Sequence, residues 1–380
     1  MVPLLIPLLD LQDQIKQLQP RLNKAIHKVV AKGSFILGTE VQDFEKEFSK
    51  FCGAGYGIGV ASGTDALELA LRAVGVGKGD LVATVSFTFC ATVDAIIHVG
   101  ARPLFVDIDP LTFTLDPKSL DQRLEGLKAK ERRRVKAVIP VHLYGHPCDM
   151  DSINRIARRF SLAVIEDAAQ AAGARWKGRP VGSLGDIGCF SFFPSKTLGG
   201  FGDGGMVLTN SEKLAARLRL LRVHGRKDRE HQIISGGRNS RLDELQAAIL
   251  RVKLKAFPKW VAKRQALASW YGKELSRLNG IQYPVVSQKA RHAFCLYVIR
   301  SSRREALRNA LRSRGIRSEV YYSVPVHRQP VYKGEYRNLK LPETDRAAQE
   351  VLALPFFPEL RRVQLLLVCR ALAETLKLAS

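Results

Sequence analysis

The sequence predicts an α/β fold: a mostly parallel, seven-stranded sheet with helices on both faces, followed by a smaller C-terminal α+β domain. Three observations predict it. Seven short apolar runs, YGIGVA, LVATV, RPLFVD, VKAVIPV, LAVIED, IGCFSF and GGMVLTN, fall between Tyr56 and about Thr209 and read as strands buried on both faces. Amphipathic stretches with apolar residues three and four apart separate several of them, the alternation expected of parallel strands with helical crossovers. After Asn239 the texture changes to long, charged, helical segments.

Taken in order, N-terminal helical segments ending in VQDFEKEF precede the first strand and could cross to the small domain or to a second subunit. DALELALRAVG from Asp65, ATVDAIIHVG from Ala91 and MDSINRIARRF from Met150 read as helices with a core-facing stripe. Most strand runs end at Gly, Ser, Asp or Thr, and the carboxyl ends of such strands are where open sheets meet ligands. RLDELQAAILRVKL begins a helix that Pro258 is expected to break, which sets a boundary between a large domain, residues 1–254, and a small one, residues 255–380. The remainder holds a strand-like FCLYVI, a basic helix with Ala306, Leu307, Ala310 and Leu311 on its inner face, a β-branched and aromatic run SEVYYSV, and a final helix around LLLVCRALAETLK.

A chain of 380 residues with 46% hydrophobic composition can bury one large core and carry a second, smaller one. The opening VPLLIPLL is too short for a membrane span and has no basic leader or small-residue cleavage site, so a cytoplasmic protein without membrane partners is expected. Six cysteines are scattered without a CxxC pair, a pattern of reduced buried thiols and of no metal site. The formal net charge of +24 is unusual. Its arginines in RSSRREALRNALRSRGIR lie on the outer side of a helical periodicity, which favours a solvated face over a nucleic-acid surface. No helix-turn-helix or zinc finger is present to dock on DNA.

The chemistry centres on CFSFFPSKTLGGFGDGG, which places Lys196 just past an apolar strand, inside a glycine-rich loop. A lysine amine so displayed can form a Schiff base with an aldehyde cofactor. Pyridoxal 5'-phosphate needs an amine, a carboxylate for its ring nitrogen, a phosphate cradle and a flat apolar surface, and each requirement has a candidate. Lys196 offers the amine and a proton-shuttling base. Asp167, at the end of LAVIED, offers the carboxylate, and Gln170, three residues on and on the same face of a helical turn, a donor to the phenolic oxygen. The turn Ser62–Gly63–Thr64 opens a helix whose amides and dipole suit a phosphate, Ser191 adds a hydroxyl, and Phe87 in VSFTF is expected to stack on the ring. Singly, each has an ordinary reading as cap or core; five such types at successive strand ends do not.

VASGTDALELAL, FTFCATVDAI with GARPLFVDID, VIEDAAQAAGA, CFSFFPSKTLGGFGDGG and GGRNSRLDELQAAIL resemble, in order, the motifs of the DegT/DnrJ/EryC1/StrS aminotransferases of nucleotide-linked keto sugars. The resemblance spans nearly the whole chain. It implies the PLP-dependent transferase fold type I and a homodimer with shared active sites. It also implies L-glutamate as amino donor and a nucleotide-linked keto sugar as acceptor, within amino-sugar and polysaccharide biosynthesis. Lys196 then matches the Schiff-base lysine, Asp167 the ring-nitrogen partner and Ser191 a phosphate ligand; Gly63, Thr64, Asp65, Phe87 and Gln170 fall on cofactor-binding motif positions. Asn239 matches the position that reaches across the dimer to the phosphate.

Some members replace the lysine by histidine and are dehydratases, so Lys196 argues for transamination. The NSRLDELQAAIL form resembles members that aminate carbon 3 of a UDP- or dTDP-3-keto hexose derivative, and SFFPSK with GDGG leans toward the UDP-linked group. Arg241 becomes a substrate-contact candidate, its ordinary reading being a helix-start salt bridge. YYSVPVHRQPVY departs from the commoner HYPxPxH pattern in lacking its first His and first Pro, and leaves Tyr322 and His327 as pocket candidates. Two rival readings are a dehydratase of the same fold and a cofactor-binding regulatory protein.

Overall fold

A computed structural model describes residues 6–332 and 334–377, so most of the apolar opening run lies outside the described residues. The main sheet contains β1 (Tyr56–Val60), β2 (Leu81–Val85), β3 (Arg102–Val106), β4 (Val135–Ile139) and β5 (Ala163–Asp167). After two short pieces, β6 (Arg175–Trp176) and β7 (Arg179–Pro180), it is completed by β8 (Ile187–Ser191) and β9 (Gly205–Thr209). The seven strands stand in the order β1-β9-β8-β5-β4-β2-β3. β9 runs antiparallel to both its neighbours, and every other adjacent pair is parallel. All seven apolar runs of the sequence are thus strands of one sheet. Their almost continuous burial is the signature of a sheet covered on both faces.

The covering helices are α1 (Gln12–Lys32), α2 (Thr39–Phe51), α3 (Gly63–Ala73), α4 (Ala91–His98), α5 (Pro117–Glu125), the single turn α6 (Ala129–Arg132), α7 (Met150–Phe160) and α8 (Glu212–Leu221). α3 packs against β8, β9 and β5, burying Leu67, Leu69, Ala70 and Leu71, while α1 and α2 pack on the long helix α9 (Glu244–Leu275). Five of the described helices start on side-chain caps that satisfy free N–H groups: Ser62 for α3, Asp116 for α5, Asp149 for α7, Ser211 for α8 and Asp243 for α9.

Pro258 does not break α9, contrary to the expectation from sequence. Its ring sits on the exposed side, and buried Phe257, Trp260 and Val261 anchor both flanks, so packing outweighs the one missing N–H. The first half of α9 sends Leu250, Leu254 and Phe257 into the core around Phe44, Phe48 and Phe190. Its second half sends Leu267, Tyr271 and Leu275 into a separate core with Tyr297 and Phe356. That second core is closed by a short piece β10 (Ala290–Arg291), the antiparallel pair β11 (Tyr297–Arg300) and β12 (Val351–Leu354), and α10 (Arg304–Ser313), α11 (Pro342–Glu350) and α12 (Arg362–Lys377). SEVYYSV is not a strand; only Glu319 bridges, to Ala353. In α10, Leu307 and Leu311 are buried as expected, whereas Ala306 faces solvent. The N-terminal segment does reach the second core: Arg317 N–H donates to the Ile6 carbonyl, and Ile6 N–H to that of Gly315.

Candidate active site

Parallel strands present their carboxyl ends along one edge, and there the predicted residues collect. Asp167 is the last residue of β5 and is 6% exposed. Its Oδ2 accepts from the Thr92 hydroxyl at 2.8 Å and its Oδ1 from Ala169 N–H at 3.1 Å. Burial pushes its carboxyl pKa up, while Thr92, Ala169 N–H, the Lys196 charge and His142 pull it back. Lys196 is therefore electrostatically coupled to Asp167, yet its half-buried amine has no hydrogen bond or ion pair among the described residues. An uncommitted amine beside a buried carboxylate is a reactive arrangement rather than a structural one.

The loop that carries Lys196 is tightly constrained. A Cβ at Gly199 would lie 2.3 Å from the Pro194 carbonyl oxygen, and one at Gly200 2.7 Å from Gln246 Oε1. That same Gln246 oxygen accepts from Phe201 N–H at 2.7 Å, tying the loop to α9.

Ser62 Oγ accepts from Asp65 N–H at 3.1 Å, while the N–H groups of Gly63 and Thr64, at the first turn of α3, have no helical acceptor. A Cβ on Gly63 would sit 2.7 Å from Ser191 Cβ, so only glycine lets the start of α3 approach the end of β8. Asp65 itself turns away from this cradle: its N–H is spent on Ser62 and its carboxylate pairs with Arg238 at 3.1 Å.

Phe87 is corrected. It is wholly buried, packed against Phe113 and edge-on to Tyr144 and Tyr322, so neither face is open to a ligand. Two residues on, Phe89 is 53% exposed, with its ring centroid 6.3 Å from that of Tyr322. The segment after Asp167 forms successive turns, not a helix, yet Gln170 still reaches the site: its Oε1 accepts from Tyr144 N–H at 2.7 Å and its Nε2 donates to the Tyr322 hydroxyl at 3.2 Å. Burial raises the Tyr322 pKa, keeping the phenol neutral.

His327 is not a pocket residue. It is 1% exposed, its Nδ1 lies 2.6 Å from Ser86 Oγ, and its own N–H donates to the same hydroxyl, fastening the 321–332 segment to the end of β2. Arg241 is half-buried and, among the described residues, has no ion pair, so its ordinary alternative, a helix-start salt bridge, is not formed. Asn239 is exposed beside the bridge between Val223 and Asn239. Thr92, Thr88 at 2.9 Å from it, Tyr144 and Phe89 were missed from sequence. The spacing of Thr88 and Thr92, four residues apart at the start of a helix and just past a strand, was the available signal for that pair.

These residues fit pyridoxal phosphate: a free amine, a buried carboxylate already restrained by two donors, glycine-lined amides at a helix start, and an open aromatic ring. The comparison with known proteins agrees. Residues 16–373 match the model of the DegT/DnrJ/EryC1/StrS aminotransferase family. The chain belongs to that family. As a member it is a pyridoxal-phosphate-dependent aminotransferase of fold type I. It is 44% identical to a "pleiotropic regulatory protein" of Geobacillus stearothermophilus, over 97% of this chain and 98% of that one. It is 42% identical to the UDP-N-acetyl-3-dehydro-α-D-glucosamine 3-aminotransferase of Acidithiobacillus ferrooxidans, over 98% of each chain. Among solved structures it is similar to DesV of S. venezuelae in complex with a ketimine intermediate, with a TM-score of 0.93, 42% identity, and 97% and 98% of the two chains covered.

Proposed function

We propose that this aminotransferase moves the amino group of L-glutamate to carbon 3 of a nucleotide-linked 3-keto hexose derivative, UDP- or dTDP-linked, in amino-sugar and polysaccharide biosynthesis. The observation that carries the reading is the free Lys196 amine beside buried, doubly hydrogen-bonded Asp167. Full-length relatives that act on 3-keto nucleotide sugars supply the substrate class.

Pyridoxal phosphate, when bound, supplies an electron sink that acidifies the carbon bearing the amine. Lys196 Nζ takes that proton from the donor and returns one to the sugar carbon. Asp167 would hold the ring nitrogen of that group, and Thr92, donating to Asp167 Oδ2, restrains the carboxylate for that role. Ser62 Oγ fixes the first turn of α3, whose Gly63 and Thr64 N–H groups, with Ser191 Oγ, would hold the phosphate. Gln170 would serve the phenolic side of that group and Phe89 would offer it a ring face. Arg241 and Tyr322 line the sugar side, where an unpaired guanidinium can grip a hydroxyl or carboxylate.

The active sites are shared in a cytoplasmic homodimer. Exposed Phe193 and Phe201 supply apolar surface on the lysine loop itself, and solvent-facing Asn239 is free to reach a second copy's phosphate. Within each chain the division between cofactor domain and small domain falls inside α9, whose first half packs in the cofactor-domain core and whose second half packs in the small-domain core.

The test is incubation of purified protein with pyridoxal phosphate, glutamate and a panel of UDP- and dTDP-3-keto sugars, measuring 2-oxoglutarate. Release with a 3-keto sugar supports the reading; deoxygenation without glutamate consumption, or no release with any member, removes it. Mixing Lys196→Ala chains with Asn239→Ala chains tests the shared site: mixed dimers regain one intact site and activity well above either parent. Absence of recovery would argue that each subunit works alone.

A further inference from the structure

The arginines from Arg303 to Arg317 fall into two groups. Arg303 donates to the Thr375 and Leu376 carbonyls, Arg304 to Glu305 and the Ala348 carbonyl, and Arg314 to Glu374 and the Ala310 carbonyl. Arg308, Arg312 and Arg317 make no side-chain hydrogen bond with any described residue. Glu305 stands 3.9 Å from Arg308 and is already bonded to Arg304. The three free arginines are the ones that line a cavity of about 330 Å³ beside α10, together with Asn309, Ser318 and Glu319.

Arg308 and Arg312 stand one turn apart on α10, next to Leu307 and Leu311, which are buried in one cluster with Ile316. Beyond Gly315 the chain is extended: Ile316 bridges Ile6, and Glu319 bridges Ala353. Alternation along that segment turns Ser318 to the same side as Ile316, toward α10, and leaves Arg317 and Glu319 on the other. Ser318 is 8% exposed, and its hydroxyl has no hydrogen-bond partner among the described residues although it is not sealed from solvent. The opening left to it is the cavity that it lines.

Guanidinium groups four residues apart on a helix repel, and no described carboxylate is hydrogen-bonded to either of these two. An anion held between them offsets that repulsion. The two oxygens of a carboxylate are used up by one guanidinium fork, whereas a phosphate monoester has three free oxygens for two forks and the Ser318 hydroxyl. Glu319, whose carboxylate only accepts, and the Asn309 amide suit hydroxyl groups beyond the phosphate. The volume is at the low end of small-molecule sites, which span about 300–1,000 Å³, and so suits one ring with its phosphate rather than a polymer.

We propose that this cavity is an anion site, separate from the Lys196 site, that binds the phosphate of a small phosphorylated polyol such as a hexose phosphate. The site does not depend on the aminotransferase reading.

Isothermal titration tests it on the purified chain, saturated with pyridoxal phosphate and freed of excess so that the cradle at Gly63 is occupied. Glucose 6-phosphate, glucose, citrate and a short single-stranded DNA are the separate probes. Glucose 6-phosphate is expected to bind with a Kd of about 1 mM or below, and glucose not to bind up to about 10 mM. Arg308→Gln and Arg312→Gln should each weaken glucose 6-phosphate binding about tenfold, the loss expected for a charged hydrogen bond, and Ser318→Ala several-fold. Arg314→Gln, which removes the same charge from a paired position, should leave it unchanged. No saturable binding of glucose 6-phosphate up to about 10 mM would overturn the proposal. So would binding indifferent to Arg308→Gln and Arg312→Gln, an equal loss in Arg314→Gln, tighter binding of citrate, or tighter binding of the DNA, which would mark this face as a nucleic-acid surface.

Discussion

The Thr92 hydroxyl donates to Asp167 Oδ2 over 2.8 Å, joining the first turn of α4 to the end of β5 across the sheet edge. Thr92 is 1% exposed and is itself held by Thr88 at 2.9 Å, so the contact is built rather than incidental. Thr92→Val keeps the shape and removes the donor. We expect kcat to fall about tenfold, since one buried hydrogen bond to a charged group is worth about 1.5–3 kcal/mol. The acid limb of the pH–rate profile should move up, because Thr92 is among the groups that hold the Asp167 pKa down. A lower rate with an unmoved profile would show that Thr92 serves only packing.

Asp167 trades stability for activity. Burial raises its folded pKa above the unfolded value, so its favourable contribution is complete below pH 3.8 and is lost as pH rises through the folded pKa. At neutral pH the cofactor-free protein carries a buried, strained charge. Asp167→Asn should melt higher than wild type at pH 7–8 without cofactor, and the advantage should shrink as pH falls toward 4. Turnover should drop on the order of a hundredfold or more. Calorimetry across pH decides the first expectation, and a lower melting point at pH 8 would contradict it.

Phe87 and Phe89 should separate cleanly. Phe87→Ala opens a cavity in a fully buried aromatic cluster and should cost about 3–5 kcal/mol of stability. Phe89→Ala removes a half-exposed ring, should cost under about 1 kcal/mol, and should instead weaken cofactor retention. Denaturant melts and cofactor dissociation on the two variants check the assignment; equal effects on both would undo it.

His146 makes the fold acid-sensitive. Its pKa falls from 6.5 to about 4 on folding, and the stacked, buried His292 is lowered as well. Between those pH values the unfolded chain binds a proton that the folded chain refuses, so stability falls with pH. His146 alone accounts for about 3 kcal/mol over that interval. His146→Gln should flatten the decline between pH 6.5 and 4, read from denaturation midpoints; an unchanged slope would assign it to other groups.

Lys196→Ala should retain cofactor and lose turnover together with the visible absorbance that depends on the lysine amine. Absorbance spectra and stopped assays measure the two independently.

The seven strands, the helices between them and the strand-end positions of Lys196, Asp167 and Gly63 were legible in the sequence, because apolar runs buried on both faces and glycine-rich turns are local signals. Which neighbour each residue meets is not a local property. Whether Phe87 or Phe89 faces the site depends on how the chain leaves β2, Asp65 is drawn off by Arg238 far along the chain, and His327 is captured by Ser86. Pro258 is tolerated because two cores grip α9 on either side of it. Composition and periodicity determined the sheet and its reactive loop; long-range packing alone decided which side chains stay free to react, since burial and hydrogen-bond partners are fixed only when distant segments close on one another.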